Sequence, residues 1–227
     1  MRRGGVTIIV AALLYCMFGV GCGTSTLPRV RVMNASPDSP RLDVIVAGIT
    51  VGSNLPFRAV SGYRRINDGF NDVLVFPANS NDLLLEGVPF FGQRQQYTLV
   101  VGDFLQFLNA ILLTDDNSAP VANDFKLRFV HASPTASAVD VYITAPNADL
   151  TSAVPSFANV AFGRFAGYAN QPQGAFQLRV TSTGTKSVIS DTGALMFMAG
   201  QIRTAVLVNP PGSATEPLGI ALLRDVL

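Results

Sequence analysis

Cysteine is nearly missing from this chain, and tryptophan is missing altogether. The two cysteines, Cys16 and Cys22, both fall in the N-terminal stretch. The rest of the sequence can therefore form no disulfide, no thiolate metal site and no cysteine nucleophile. Without tryptophan, a carbohydrate platform built on stacking aromatics lacks its largest ring. Histidine occurs once, at His131. Charge is scarce: 14% of the 227 residues are charged against 48% hydrophobic, the opposite of a disordered composition. Sixteen basic residues face fifteen acidic ones, and Arg64-Arg65 is the single adjacent basic pair beyond the N-terminus, read as a solvated turn. Nothing in this balance calls for nucleic acid. A 3.6-residue apolar stripe is also lacking outside the N-terminal stretch. The best later apolar run, at 104–113, is broken by Gln106 and Asn109.

What is present begins with Arg2 and Arg3, followed by an uncharged run from Gly4 to Gly23 whose centre, VTIIVAALLYCMFGV, is continuously apolar. This is the layout of a secretory signal peptide. The run ends in Phe18-Gly19-Val20-Gly21-Cys22, which resembles the lipobox of bacterial lipoproteins, with Gly19 in place of the usual Leu. That resemblance implies lipidation of Cys22 and cleavage before it. Plain signal cleavage near Ser25 and an uncleaved anchor of about twenty residues are the alternatives. Each reading puts the body outside the cytoplasm. Stable tethering favours lipid, since two or more acyl chains hold firmly where one binds marginally, at about 0.8 kcal/mol per buried CH₂. With Arg2 and Arg3 removed, fourteen basic and fifteen acidic residues remain.

Beyond the signal the chain repeats itself. RVMNASPDSPRLDVIV (31–46) aligns with RFVHASPTASAVDVYI (128–143). Arg31/Arg128, Ala35/Ala132, Ser36/Ser133, Pro37/Pro134, Asp43/Asp140 and Val44/Val141 are identical, where chance gives about one match. Further along, Gly62-Tyr63 matches Gly167-Tyr168, Gly92-Gln93 matches Gly200-Gln201, and LNAILLTD (108–115) matches LGIALLRD (218–225). Short β-branched and aromatic runs separated by Gly, Pro, Asn and Asp predict an all-β fold: two tandem immunoglobulin-like antiparallel β-sandwich domains. The predicted divisions are a signal peptide at 1–21, a tether at 22–28, a first sandwich at 29–117 and a second at 123–227. DDNSAPVAND (115–124) reads as the linker.

The motif N/H-A-S-P followed by (L/V)-D-V resembles a bacterial family known as domain of unknown function 4397. The resemblance covers nearly all of residues 29–227, with Asn34 in place of the family's usual His and Arg203-Thr204 in place of Tyr-Thr. It implies an envelope location and carries no established activity.

Candidate chemistry is thin. His131, Ser133 and Asp140 could suggest a hydrolase triad, but the matched position in the first repeat is Asn34, which cannot act as a base, and Ser133 precedes Pro134 rather than sitting in a nucleophile elbow. No catalytic residue, metal ligand or cofactor is therefore assigned. A calcium site would need converging oxygens that no D-x-D-x-D-G pattern supplies. Asn34 and His131 are expected to hold turns through their side chains. Asp43 and Asp140, kept inside apolar runs, are expected to accept N–H groups of their own A-S-P turns and pin the first hairpin. Tyr63 and Tyr168 are expected to lie buried at sandwich corners. The expected role is a lipid-anchored, non-enzymatic structural or protein-interaction module, with the membrane and other envelope proteins as partners. A glycan- or peptide-binding module is the alternative. Gly23, in place of the Asp of inner-membrane retention, points by resemblance to the outer membrane.

Overall fold

The computed structural model describes residues 26–212 and 217–225; the stretch expected to be a signal peptide, and Cys22, lie outside them. Among the described residues the chain is all β, with one 3₁₀ turn at Leu105–Phe107. The first half contains β1 (Arg29–Asn34), β2 (Leu42–Val46), β3 (Ile49–Leu55), β4 (Arg64–Arg65), β5 (Gly69–Phe70), β6 (Val73–Pro77), β7 (Leu85–Gly87), β8 (Phe90–Phe91), β9 (Gln96–Gly102) and β10 (Asn109–Thr114). The second contains β11 (Asp124–His131), β12 (Val139–Thr144), β13 (Phe157–Val160), β14 (Phe165–Pro172), β15 (Gly174–Ser182), β16 (Val188–Phe197), β17 (Ile202–Val208) and β18 (Gly219–Arg224).

The strands form two four-stranded sheets per half, and the first half adds a two-stranded ribbon of β5 and β8. In the first half the orders are β10-β9-β1-β4 and β3-β2-β6-β7; in the second they are β14-β11-β17-β18 and β13-β12-β15-β16. One pairing is parallel in each half, β1 with β9 and β11 with β17. The matched Arg31 and Arg128 stand opposite Thr98 and Thr204 in these ladders.

This connectivity corrects the expected first hairpin. β1 and β2 belong to different sheets, so the A-S-P segment crosses from one layer to the next. The physical reason is that β1 finds its partner in β9, far along the chain, and a parallel pair cannot be closed by a tight turn.

Alternation along the strands explains the layering. Val30 and Val32 of β1 and Leu99 and Val101 of β9 pack with Val44, Val46, Val73 and Val75 of the facing sheet, forming the first core. Leu127, Phe129, Ala205 and Leu207 do the same against Val139, Val141, Leu178 and Val180 in the second. The other faces of the two inner sheets are apolar too. Met33, Ala35, Val100 and Leu113 meet Val130, Ala132, Val206, Val208, Ala221 and Leu223 in a third core between the halves. The order of layers is outer, inner, inner, outer. Strands buried on both faces read as nearly continuous apolar runs, as β9 (QYTLVVG) and β17 (IRTAVLV) do. At the seam a Cβ on Gly102 would lie 3.7 Å from the methyls of both Ala35 and Ala132, so small residues set how close the sheets come.

The connection between the halves is also tied down. Asp115, read from sequence as the first residue of a linker, is buried, and Lys126 of β11 reaches back to Asp116 at 2.7 Å.

Candidate functional site

Charged residues in an apolar seam need partners, because burying an unpaired ion costs several kcal/mol. The partners come from the opposite half. Arg31 on β1 donates from Nη2 to Asp225 Oδ1 at 2.6 Å, and Arg128 on β11 donates from Nη2 to Asp115 Oδ1. Both carboxylates are fully buried and the guanidiniums nearly so. Asp115 follows the last residue of β10, and Asp225 follows the last residue of β18.

The Nη1 groups also cross the seam, Arg31 donating to Arg224 O and Arg128 to Thr114 O, and further bonds run within each half. Arg31 Nε donates to Thr98 Oγ1 at 2.8 Å, and Thr98 Oγ1 donates to Asp115 Oδ2 at 2.7 Å. Arg128 Nε donates to Thr204 Oγ1 at 2.7 Å, and Thr204 donates to Asp225 Oδ2 at 2.6 Å. Tyr63 Oη donates to Asp115 Oδ2 at 2.5 Å and Tyr168 Oη to Asp225 Oδ2 at 2.6 Å. Each ring also lies against an arginine, Tyr63 under Arg31 at 4.8 Å and Tyr168 under Arg128 at 4.9 Å. Burial, and then the adjacent aspartate, pushes both phenols well above their usual range, so they stay protonated donors. The eight side chains form a charge-balanced, hydrogen-bonded network.

One side of this network opens into a cleft of about 550 Å³ between the halves, lined by Arg31, Arg58, Ser61, Tyr63, Leu222 and Arg224 among others. It exists because the halves differ there. β14 pairs with β11 from Asp124 to Val130, whereas β4 meets β1 only at Arg29 and Val30, with an isolated bridge from Met33 to Val60 beyond. Arg58, which has a left-handed φ of 65°, reaches across the cleft and donates to Ile220 O at 2.9 Å. Arg58 and Arg224 are exposed and lie in no ion pair among the described residues.

Tyr63 and Tyr168, singled out in the sequence, belong to this network; the other residues singled out there lie elsewhere. Asn34 Oδ1 accepts Ser36 N–H at 3.1 Å, and its Nδ2 donates to Leu55 O at 3.1 Å. His131 Nδ1 accepts Ser133 N–H at 3.3 Å, and Nε2 lies 2.9 Å from Ser137 O. Accepting at Nδ1 requires the neutral Nε2–H tautomer. Burial holds the imidazole pKa below its usual value, the Ser137 carbonyl opposing. Ser133 Oγ donates to Asn209 Oδ1 at 2.5 Å, not to His131. No Ser–His nucleophile pair is formed.

Asp43 and Asp140 require a correction. Neither accepts from its A-S-P turn. Asp43 takes Asn54 N–H at 2.6 Å and Asn79 N–H at 3.2 Å; Asp140 takes Asn159 N–H at 2.8 Å and Gly184 N–H at 2.9 Å. All four donors have left-handed φ, between 52° and 77°. Each aspartate faces an irregularity in the neighbouring strand, where register slips between Leu42 and Val44 or between Val139 and Val141. The carboxylate thus closes a β-bulge on one side and a turn on the other. Donation from Asn54 is the main cause of a lowered Asp43 pKa. Among the described residues no cluster of His, Cys, Asp and Glu could hold a metal, and no helix is long and apolar enough to cross a membrane.

A family model described as "Domain of unknown function (DUF4397)" matches residues 28–142. The chain belongs to this family. The DUF4397 match takes in the first half, the A-S-P motif of both halves, and Arg31, Asp115 and Arg128 of the seam. No curated protein matches this DUF4397 chain. Among solved structures it is similar to a family 26 carbohydrate-binding module of Eubacterium rectale Amy13K in complex with maltoheptaose, at 8% identity over 88% of this chain and 98% of that one, with a TM-score of 0.27. It is also similar to family 41 carbohydrate-binding modules from streptococcal virulence factors, at 8% identity, 85% and 95% coverage and a TM-score of 0.27. A leucine-rich repeat protein of Bacteroides thetaiotaomicron matches at 11% identity over 82% of this chain and 26% of that one, with a TM-score of 0.23. Likeness at these scores carries no weight for the function of a DUF4397 protein.

The seam arginines and aspartates were signalled in the sequence by their identity at matched positions, the arginines inside apolar runs and the aspartates at the ends of them. The cleft had no such signal, because it arises where the halves differ.

Proposed function

We propose that this protein is a non-enzymatic binding module of the cell envelope, anchored by lipid on Cys22, whose two immunoglobulin-like repeats jointly present a cleft to a glycan or peptide. The observation that carries the reading is the cleft itself. Its walls come from both halves, its floor is fixed by the Arg31–Asp225 pair, and Arg58 and Arg224 stand at its rim with donors to spare. Exposed Val60 and Leu222 offer apolar surface beside them. Such a concave, pre-formed site with a few convergent polar groups suits a ligand rather than a reaction. The equivalence of two pairing schemes, with Arg, Thr, Tyr and Asp at matched places, supports two copies of one unit. The uncharged run ending at Cys22 supports export and tethering, by resemblance at the outer membrane.

The test is binding of the full-length protein in detergent to arrayed envelope polysaccharides and peptidoglycan-derived peptides, beside Arg58→Ala and Arg224→Ala variants. Capture that both variants weaken is the expected result. No capture, or capture indifferent to both, removes the cleft as a binding site.

A purely structural role is the second reading. It is favoured by the third core, which joins the halves through packed apolar side chains of both inner sheets.

A further inference from the structure

One end of the molecule gathers features that neither the cleft nor the seam uses. β1 begins there, and Arg94 N–H, in the turn between β8 and β9, bonds to Thr26 O at 2.7 Å, fixing where the chain enters the fold. Two residues before that turn's Gly92, Phe90 projects with Phe70 opposite it on β5. Their rings meet edge to face at 5.2 Å, yet Phe70 is 75% exposed and Phe90 55% exposed. An aromatic pair so bare is unusual unless something covers it.

The second half adds to the same end. Asp115 N–H bonds to Gln96 O at the start of β9, Lys126 bonds Asp116, and Gly200 N–H bonds to Asp124 O at the start of β11. The turn before β17 therefore lies beside the turn before β9. Met198 stands two residues before Gly200, as Phe90 stands two before Gly92, and it is 53% exposed; Met196 is 65% exposed.

Basic residues lie at the same end, around the chain's entry point. Arg65 and Arg64 on β4 stand opposite Arg29 and Val30 of β1. Arg29, Arg64, Arg65 and Arg94 are all exposed, and none is in an ion pair among the described residues. The nearby carboxylates of Asp68 and Asp116 are held by Gln93 and Lys126.

Chain length decides what lies opposite this end. Three residues separate Cys22 from Thr26, and the four steps between them reach at most about 14 Å even when fully extended. A lipid on Cys22 would bring the entry point, and with it this end, to the bilayer surface. We propose that the tether end is a membrane-facing surface: Phe70, Phe90, Met196 and Met198 enter the headgroup–acyl boundary while the four arginines meet lipid phosphates. The proposal rests on the lipid-anchor reading. It goes beyond it in making the fold, and not the lipid alone, a contact with the bilayer. The body is then held in one orientation instead of swinging on its tether.

The absence of tryptophan supplies the experiment. The full-length chain, expressed with its own N-terminal segment, is reconstituted into phosphatidylethanolamine and phosphatidylglycerol vesicles with brominated acyl chains, which quench a tryptophan that reaches them. F90W and M198W each introduce a single reporter on the face, so a folding defect in one leaves the other. F107W places a reporter after the far end of β9, a strand about 20 Å long. Loss of emission from F90W and M198W, with F107W unaffected, is expected. Equal emission from F90W and M198W in brominated and plain vesicles overturns the proposal, as does quenching of F107W to the same degree. Intact mass of the same preparation reads Cys22 acylation separately. An acylated chain without quenching removes the face and leaves the anchor; quenching of an unacylated chain removes the anchor and leaves the face.

Discussion

Arg31 and Asp225 are 194 residues apart in the chain and form a buried ion pair at 2.6 Å across the seam between the halves. Arg128 and Asp115 form the same pair in the opposite direction. Each half thus supplies the arginine for the other's aspartate, and removing one partner strands a buried charge. Asp225→Asn keeps an acceptor for Thr204 and Tyr168 but leaves Arg31 uncompensated, so it is expected to cost about 3–5 kcal/mol in urea unfolding. Adding Arg31→Met to that variant removes the stranded charge and is expected to recover part of the loss. A double variant no more stable than Asp225→Asn would show that the charge is not what the seam depends on.

The bulge clamps give a second measurement. Asp140→Ala removes two backbone hydrogen bonds from a buried carboxylate and is expected to cost about 1–3 kcal/mol. Asp43→Ala removes the matched pair at a more exposed site, where water replaces part of what is lost, and is expected to cost less. Thermal unfolding of the two variants checks both size and order. An unchanged midpoint for Asp140→Ala would remove the clamp.

His131 is buried and neutral, with its pKa held below the usual 6.5. The unfolded chain therefore takes up a proton more readily than the folded one as pH falls. The stability tied to the neutral ring is fully present above pH 6.5 and declines as pH drops below it, toward the folded value. Unfolding curves between about pH 7 and 5 should show this decline in the wild type and lack it in His131→Asn. The asparagine should also be tolerated better than His131→Leu, which leaves Ser133 N–H and Ser137 O unpaired at about 1–3 kcal/mol. A decline of equal slope in His131→Asn would assign it to another group.

Asp116 has its pKa lowered to about 2, chiefly by its hydrogen bond from Lys126 and then by Ser118. A depressed acid contributes stability above its unfolded pKa of 3.8 and loses it as pH falls through about 2. The advantage of the wild type over Asp116→Asn should therefore shrink between about pH 4 and 2. Asp116 is largely exposed, so the difference should stay within about 1 kcal/mol. An advantage that persists to pH 2 would show that the pair is not what the substitution removes.

Much of the strand content is legible in the sequence because it rests on local patterning. VRVMN, LDVIV, QYTLVV and TAVLV are short, apolar and bounded by turn residues, and each forms a strand. Pairing is another matter. β1 joins β9 across more than sixty residues, and no local signal marks a parallel partner at that distance, so the A-S-P segment reads as a hairpin when it is a crossover. Arg31, Asp115, Arg128 and Asp225 are visible as repeated letters, but their contacts run between halves, and a reading that assigns each half its own domain has nowhere to put them. Asn34 and His131 look unlike as residue types. They use the same atom position, since Asn Oδ1 and His Nδ1 both sit one bond beyond Cγ and both take the N–H two residues on.

The third core bears on how such a protein can be divided. Cut between β10 and β11, either piece would show water a flat apolar sheet studded with an arginine lacking its acid and an acid lacking its arginine. Two identical pieces could answer each other's deficit about a twofold axis, each lending the salt-bridge partner that the other misses. A relative consisting of one such half would then be expected to exist as a dimer, with the covalent link here replacing an association that depends on concentration.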